Sequence, residues 1–139
     1  MQMHASCAAR DQAGVLLLGA PGSGKSDLLL RLLDHGFSLV ADDRVDIVQG
    51  SASPPAALAG RLEVRGLGIV LLPHVAPVRL ALVVMLGRMP RLPLPSSHDG
   101  LELPSIVIDP AMPSAAARVA LALRCATGQV QQDVGAFAA

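Results

Sequence analysis

With 139 residues, eleven basic and eleven acidic side chains and no formal net charge, the chain has room for one ordinary hydrophobic core and not for two. Hydrophobic residues make up 52%, yet Trp and Tyr are absent and Phe occurs only at 37 and 137, so the core must be aliphatic and the stacking platforms used on single-stranded nucleic acid are missing. Balanced charge without long runs of either sign argues against nucleic acid and membrane-surface partners, and Arg, Asp, Gly and Pro break every apolar run before the roughly 18 residues of a membrane span.

In chain order, residues 15–18 form a short apolar run that predicts a strand buried on both faces. The loop "GAPGSGKS" (residues 19–26) follows, and residues 26–35 then place Leu28, Leu29, Leu32 and Leu33 on one stripe of a helix, with Gly36 at its C-terminal end. Residues 37–41 predict a second strand ending in Asp42 and Asp43, and residues 44–48 alternate as a further strand. The Pro- and Ala-rich "SASPPAALAG" reads as a loop or short helical turn, residues 62–65 and "GLGIVLLP" as strands, and residues 79–86 as a buried strand. Residues 87–100 should form an exposed loop. Two short strands are expected at 101–103 and 106–108, followed by a helix with Ser114 as its N-cap and Gly128 just past its end. Residues 1–128 are thus expected to form one domain, and 129–139 a frayed tail. Cys7 and Cys125 are far apart with no CxxC pairing, which predicts buried free thiols and a reducing, cytoplasmic setting; the N-terminus has no signal-peptide pattern.

Gly19, Gly24, Lys25 and Ser26 satisfy G-x-x-x-x-G-K-[ST] in the strand-to-helix context that a phosphate loop requires. Such a loop brings backbone N–H groups, a helix N-terminus and an ammonium to bear on phosphate, and Ser26 offers a hydroxyl to Mg²⁺. Gly19, Ala20, Pro21, Gly22, Ser23, Gly24, Lys25 and Ser26 are therefore the candidate nucleotide-binding residues. Of the Asp42–Asp43 pair, one carboxylate can approach a metal or its water shell and the other can take a proton from an attacking hydroxyl; a solvated turn is the alternative. Glu63 is either half of a surface ion pair with Arg65 or part of a site beside Gly66 and Gly68. His4 alone carries no assignment.

Three stretches together resemble the catalytic domain of the HPr kinase/phosphorylase family: "MHAS", "GAPGSGKSDLLLRLLDHGFSLVADDRVDI" and "PPAALAGRLEVRGLGIV". The resemblance is close over residues 3–72, and "EVRGLGI" is its most specific part. It implies an α/β phosphate-loop kinase related to phosphoenolpyruvate carboxykinase, a mixed sheet with flanking helices, acting with ATP and Mg²⁺ on a serine of the phosphocarrier protein HPr. By the same resemblance Lys25 stabilises the transferring group and Ser26 and Glu63 hold the metal. Asp43 is the proton acceptor, supported by Asp42 and His4, and Arg91 is the nearest candidate for a later active arginine. Family members also run the reverse phosphorolysis and assemble as oligomers, up to hexamers. This chain looks like a short form without the separate N-terminal domain, and "VIDPAMPSAAARV" replaces the element tied to dephosphorylation. A nucleotide-binding sensor and a small-molecule kinase remain the alternative readings.

Overall fold

The computed structural model describes residues 1–138. The chain opens with β1 (Gln2–His4), β2 (Ser6–Arg10) and β3 (Ala13–Leu18). β2 and β3 form an antiparallel hairpin closed by Asp11 and Gln12, both at positive φ, 51° and 67°. Two consecutive left-handed residues match the right-handed twist of the flanking strands. After the glycine loop comes α1 (Lys25–Asp34), then β4 (Ser38–Ala41), β5 (Arg44–Val48) and β6 (Ser51–Ser53). A 3-10 turn at Ala56–Leu58 leads into β7 (Arg61–Val64) and β8 (Gly68–Leu71), a separate two-stranded hairpin. The remainder is β9 (Val78–Leu86), β10 (Ser97–His98), β11 (Leu103–Ile108) and α2 (Ala115–Ala126).

Nine strands make one mixed sheet in the order β1-β5-β6-β9-β3-β2-β4, with β11 parallel to β9 and β10 paired to β11. Parallel β3 and β9 form its centre. β4 and β5 lie far apart in that order although only Asp42 and Asp43 join them in the chain, so the sheet must fold over on itself. This fold produces two aliphatic clusters. Val15 and Leu17 of β3 face the one containing α1 and α2, while Leu16 and Leu18 face the one closed by Val40, Val45, Ile47 and Val83. Burial on both faces is why the strand reads as an unbroken apolar run and not as an alternation.

The α/β class, with helices against a mixed sheet, is the one expected from the sequence, and β5 and β9 fall within a residue of their predicted ranges. Leu80, Leu82, Val83 and Val84 are buried, which makes β9 internal core. Several local expectations are corrected. One strand, Leu103–Ile108, stands where two were expected at 101–103 and 106–108, because Leu101 and Glu102 belong to a turn in which Glu102 has φ 55°. Ser114 occupies the N-cap position without capping: its backbone is not extended, and its Oγ accepts from Arg118 Nε at 2.8 Å. Cys7 is buried and Cys125 only half-buried. Within residues 129–138, Ala136 is buried and the Phe137 N–H donates to Gln132 Oε1 at 2.7 Å; Ala139 lies outside the described residues. No described helix is long and apolar enough to cross a membrane.

Candidate active site

Three chain segments meet at one end of the sheet, and register explains why. Ser6 at the start of β2 stands opposite Leu17 near the end of β3, and the next residue of β2, Cys7, stands opposite Ala41 at the end of β4. The loop leaving β3 and the Asp42–Asp43 turn leaving β4 are thereby brought to the same edge. The β7–β8 hairpin completes the enclosure, resting on α1 through Leu62, which is fully buried. Between these parts lies a cavity of about 910 Å³.

The phosphate-loop residues facing this cavity are Pro21, Gly22, Gly24, Lys25 and Ser26. Two of the loop's glycines serve different purposes. A Cβ on Gly19 would push the Ser23 Oγ out of its place, and Gly24 has φ +103°, which L side chains rarely adopt. Gly24 is also the N-cap residue of α1, with no side chain bonded to the helix end. The first-turn N–H groups of α1 are consequently free for an anionic ligand, and the helix dipole favours one. Lys25 Nζ donates to the carbonyls of Gly19 (2.7 Å) and Ala20 (3.1 Å), so the ammonium is folded back on its own loop. Ser23 Oγ is buried and has no hydrogen-bond partner among the described residues.

The two aspartates have different environments. Asp42 is only 7% exposed, and its Oδ1 accepts from the hydroxyls of Ser26 and Ser6, each at 2.8 Å. Asp43 is exposed and lines the cavity. The Arg44 N–H donates to the Asp42 carbonyl at 2.8 Å across it, and Asp43 has φ +70°. This is a γ-turn, a strained conformation for a residue with a side chain. The Asp43 carbonyl is tied in turn by the Ala5 N–H at 3.2 Å.

Lys25, Ser26, Asp43 and Glu63 therefore face one cavity, and Asp42 reaches it through Ser26. His4 and Arg91 are not among the lining residues. His4 pairs with Arg44 across β1 and β5, one residue before the Ala5 that holds Asp43, and its side chain is exposed. Arg91 is exposed on the 87–100 loop. Glu63 makes no ion pair with Arg65; both border the cavity, and Asp27–Arg31 (3.1 Å) is the one ion pair among the described residues. Sequence reasoning assigned no role to Ser6 or to the lip formed by Leu67 and Ile69. The available signal for Ser6 was a hydroxyl inside an otherwise apolar strand.

Magnesium fits this donor set. Among the described residues no three His, Cys, Asp or Glu side chains cluster into an all-protein cage. Magnesium is ordinarily held by one or two carboxylates together with substrate phosphates. Glu63 and Ser26 supply oxygen donors on the cavity that the phosphate loop borders.

Comparison with known proteins points the same way. Residues 1–75 match the family model described as HPr Serine kinase C-terminal domain. An HPr kinase/phosphorylase from Cupriavidus metallidurans is 40% identical over 109 residues, 66% of this chain and 34% of that protein. One from Clostridium tetani is 48% identical over 64 residues, 43% of this chain and 21% of its own length. The chain thus spans about a fifth to a third of these relatives. Among solved structures, the Hpr(Ser) kinase/phosphatase from Coxiella burnetii superposes with a TM-score of 0.77 at 26% identity, covering 93% of this chain and 97% of that one.

Proposed function

The chain belongs to the family of the HPr serine kinase C-terminal domain, and from that premise we propose that it transfers the γ-phosphoryl group of ATP to a serine of HPr or a related phosphocarrier protein. The observation that carries this reading is the convergence of Lys25, Ser26, Asp43 and Glu63 on one cavity beneath an uncapped helix N-terminus. A nucleotide sensor needs the loop alone. A solvent-facing carboxylate held at a strained backbone beside that loop suits group transfer.

Each residue has a role in the proposed reaction. Free N–H groups at the start of α1 hold the phosphates, and Lys25 exchanges its carbonyl partners at Gly19 and Ala20 for the terminal phosphoryl oxygens. The acceptor serine Oγ forms a bond to the γ-phosphorus as the bond to the β-phosphate bridging oxygen breaks, and Asp43 takes the hydroxyl proton. ADP and phosphoserine are the products. Magnesium, held by Ser26 and Glu63, supplies charge neutralisation on the phosphate oxygens. In the dephosphorylating direction an oxygen of inorganic phosphate forms a bond to the phosphoserine phosphorus as the bond to the serine Oγ breaks, Asp43 returns the proton to that Oγ, and serine and pyrophosphate are the products. We place this chemistry in a single catalytic unit over residues 1–128, working in the cytoplasm as a homo-oligomer of up to six copies, which sedimentation velocity would measure. His4 and Arg91 are assigned supporting roles that require approach to the cavity when both substrates are bound.

Incubation with labelled ATP, Mg²⁺ and purified HPr tests the proposal. Serine phosphorylation that disappears in Lys25→Ala and Asp43→Asn supports it. ATP binding by the unsubstituted protein with no transfer to the carrier would replace it with the sensor reading.

A further inference from the structure

Ser6 and Asp42 are the only polar or charged residues buried as a whole among the described residues, and they are bonded to each other. Ser6 is fully buried, and its neighbours Ala5, Cys7, Ala8 and Ala9 are buried as well, so an alanine would suit the strand as well as a serine does. Burying a hydroxyl is unfavourable unless it is hydrogen-bonded, and here its partner is a carboxylate oxygen. The same Oδ1 accepts from Ser26, giving a chain from β2 through the end of β4 to the first turn of α1.

We infer that Ser6 is a positioning residue, which fixes the Asp42 carboxylate so that Ser26 spends its proton on Asp42 and turns its free lone pairs toward the cavity. A serine hydroxyl has one proton and two acceptor lone pairs. With the proton committed to Asp42, the oxygen is left able only to accept or to coordinate, which is the form a cation requires. Without Ser6, Asp42 would have one hydroxyl to hold in place of two, and both it and Ser26 could rotate. Groups that orient a metal ligand from behind are worth about 10- to 100-fold in metal affinity. The inference rests on the proposed function insofar as Ser26 is taken to hold magnesium, and it does not depend on which acceptor is phosphorylated.

Calorimetry of ATP binding, with Mg²⁺ and with EDTA, provides the test. In the unsubstituted protein Mg²⁺ should tighten ATP binding. In Ser6→Ala the affinity in EDTA should stay within about twofold, since Lys25 and the loop still hold the phosphates, while the gain from Mg²⁺ should fall roughly tenfold. In a Ser26→Ala background, adding Ser6→Ala should change nothing further, because Ser6 acts through Ser26. A crystal structure of nucleotide-free Ser6→Ala should have the Asp42 carboxylate turned away from Ser26. A full magnesium gain in Ser6→Ala, an equal loss in EDTA, an additive double variant or an unmoved Asp42 would each overturn the inference. So would an unsubstituted protein whose ATP affinity ignores Mg²⁺. Failure to phosphorylate HPr, with the magnesium pattern intact, would remove the proposed acceptor and leave the role of Ser6 standing.

Discussion

Replacing Asp43 by glycine should make the protein more stable while destroying its chemistry. Asp43 is exposed, so no packing is lost, and its φ of +70° lies in the region that an L-residue avoids. That conformation costs roughly 1–2 kcal/mol, which glycine recovers. Glycine also loosens the unfolded chain, returning roughly 0.4–1 kcal/mol of the gain. The net effect is a stabilisation of about 0–1.5 kcal/mol, or a rise in melting midpoint of up to about 5 °C for a domain of this size. Asp43→Ala keeps the strain in a residue less suited to it than aspartate and should melt a few degrees lower. Phosphotransfer should drop about 10²- to 10⁴-fold in both, the range for loss of a general base. Differential scanning calorimetry beside the labelled-ATP assay reads the two effects separately. If Asp43→Gly melts as low as Asp43→Ala, the carboxylate is stabilising its own turn, and the account of Asp43 as a strained functional residue is wrong.

Gly24→Ala should be destabilised by about 1–2 kcal/mol in thermal melts, since its φ of +103° opposes any side chain, and ATP affinity should fall with it. Leu62→Ala, which empties the contact between the β7–β8 hairpin and α1, should cost about 2–5 kcal/mol in denaturant titrations. Glu63→Gln, on the exposed side of the same strand, should leave stability within about 0.5 kcal/mol and lower the magnesium-dependent gain in ATP affinity. Burial raises the Cys7 thiol far above its ordinary value of 9.0, so the folded protein keeps a proton that the unfolded chain releases. Stability should therefore be unaffected by Cys7 below pH 9.0 and fall by about 1.4 kcal/mol per unit above it, a slope that Cys7→Ala should abolish in pH-dependent urea melts.

What could be read from the sequence follows from how local each determinant is. The glycine loop, α1 and β9 are specified by residues adjacent in the chain, through a spaced glycine motif, a leucine stripe and an unbroken apolar run. The β2–β3 hairpin was not legible, because its two left-handed turn positions are filled by Asp11 and Gln12 in place of the Asn-Gly or Asp-Gly that announces such a turn. The division of residues 101–108 into two strands failed for a related reason: Glu102 adopts positive φ without a glycine to mark the turn. The folding of the sheet over itself, which sets β4 and β5 far apart in strand order, depends on pairing between distant segments and leaves no periodic trace. Ser6 shares this difficulty, since its partner is 36 residues away.

The Asp42–Asp43 pair illustrates the boundary between the two kinds of information. Residue types and spacing placed two carboxylates at a strand end beside a phosphate loop without dividing their roles, and only the family resemblance pointed to Asp43 as the proton acceptor. Two adjacent residues in an extended strand would present their side chains to opposite faces, but at this position the chain also reverses through a γ-turn. Asp42, directly after β4, is buried with its Oδ1 already committed to two hydroxyls, which suits the holding part in the proposed reaction. Asp43 carries the strain of the turn and faces the cavity with no side-chain hydrogen bond among the described residues, as the proton transfer proposed for it requires. Extending the turn by one glycine between them would relax Asp43 and unhook the Arg44 N–H from the Asp42 carbonyl. Such an insertion should leave ATP binding near its original strength while uncoupling it from phosphotransfer, because the phosphate loop and Asp43 are carried by separate segments that only the sheet register brings together.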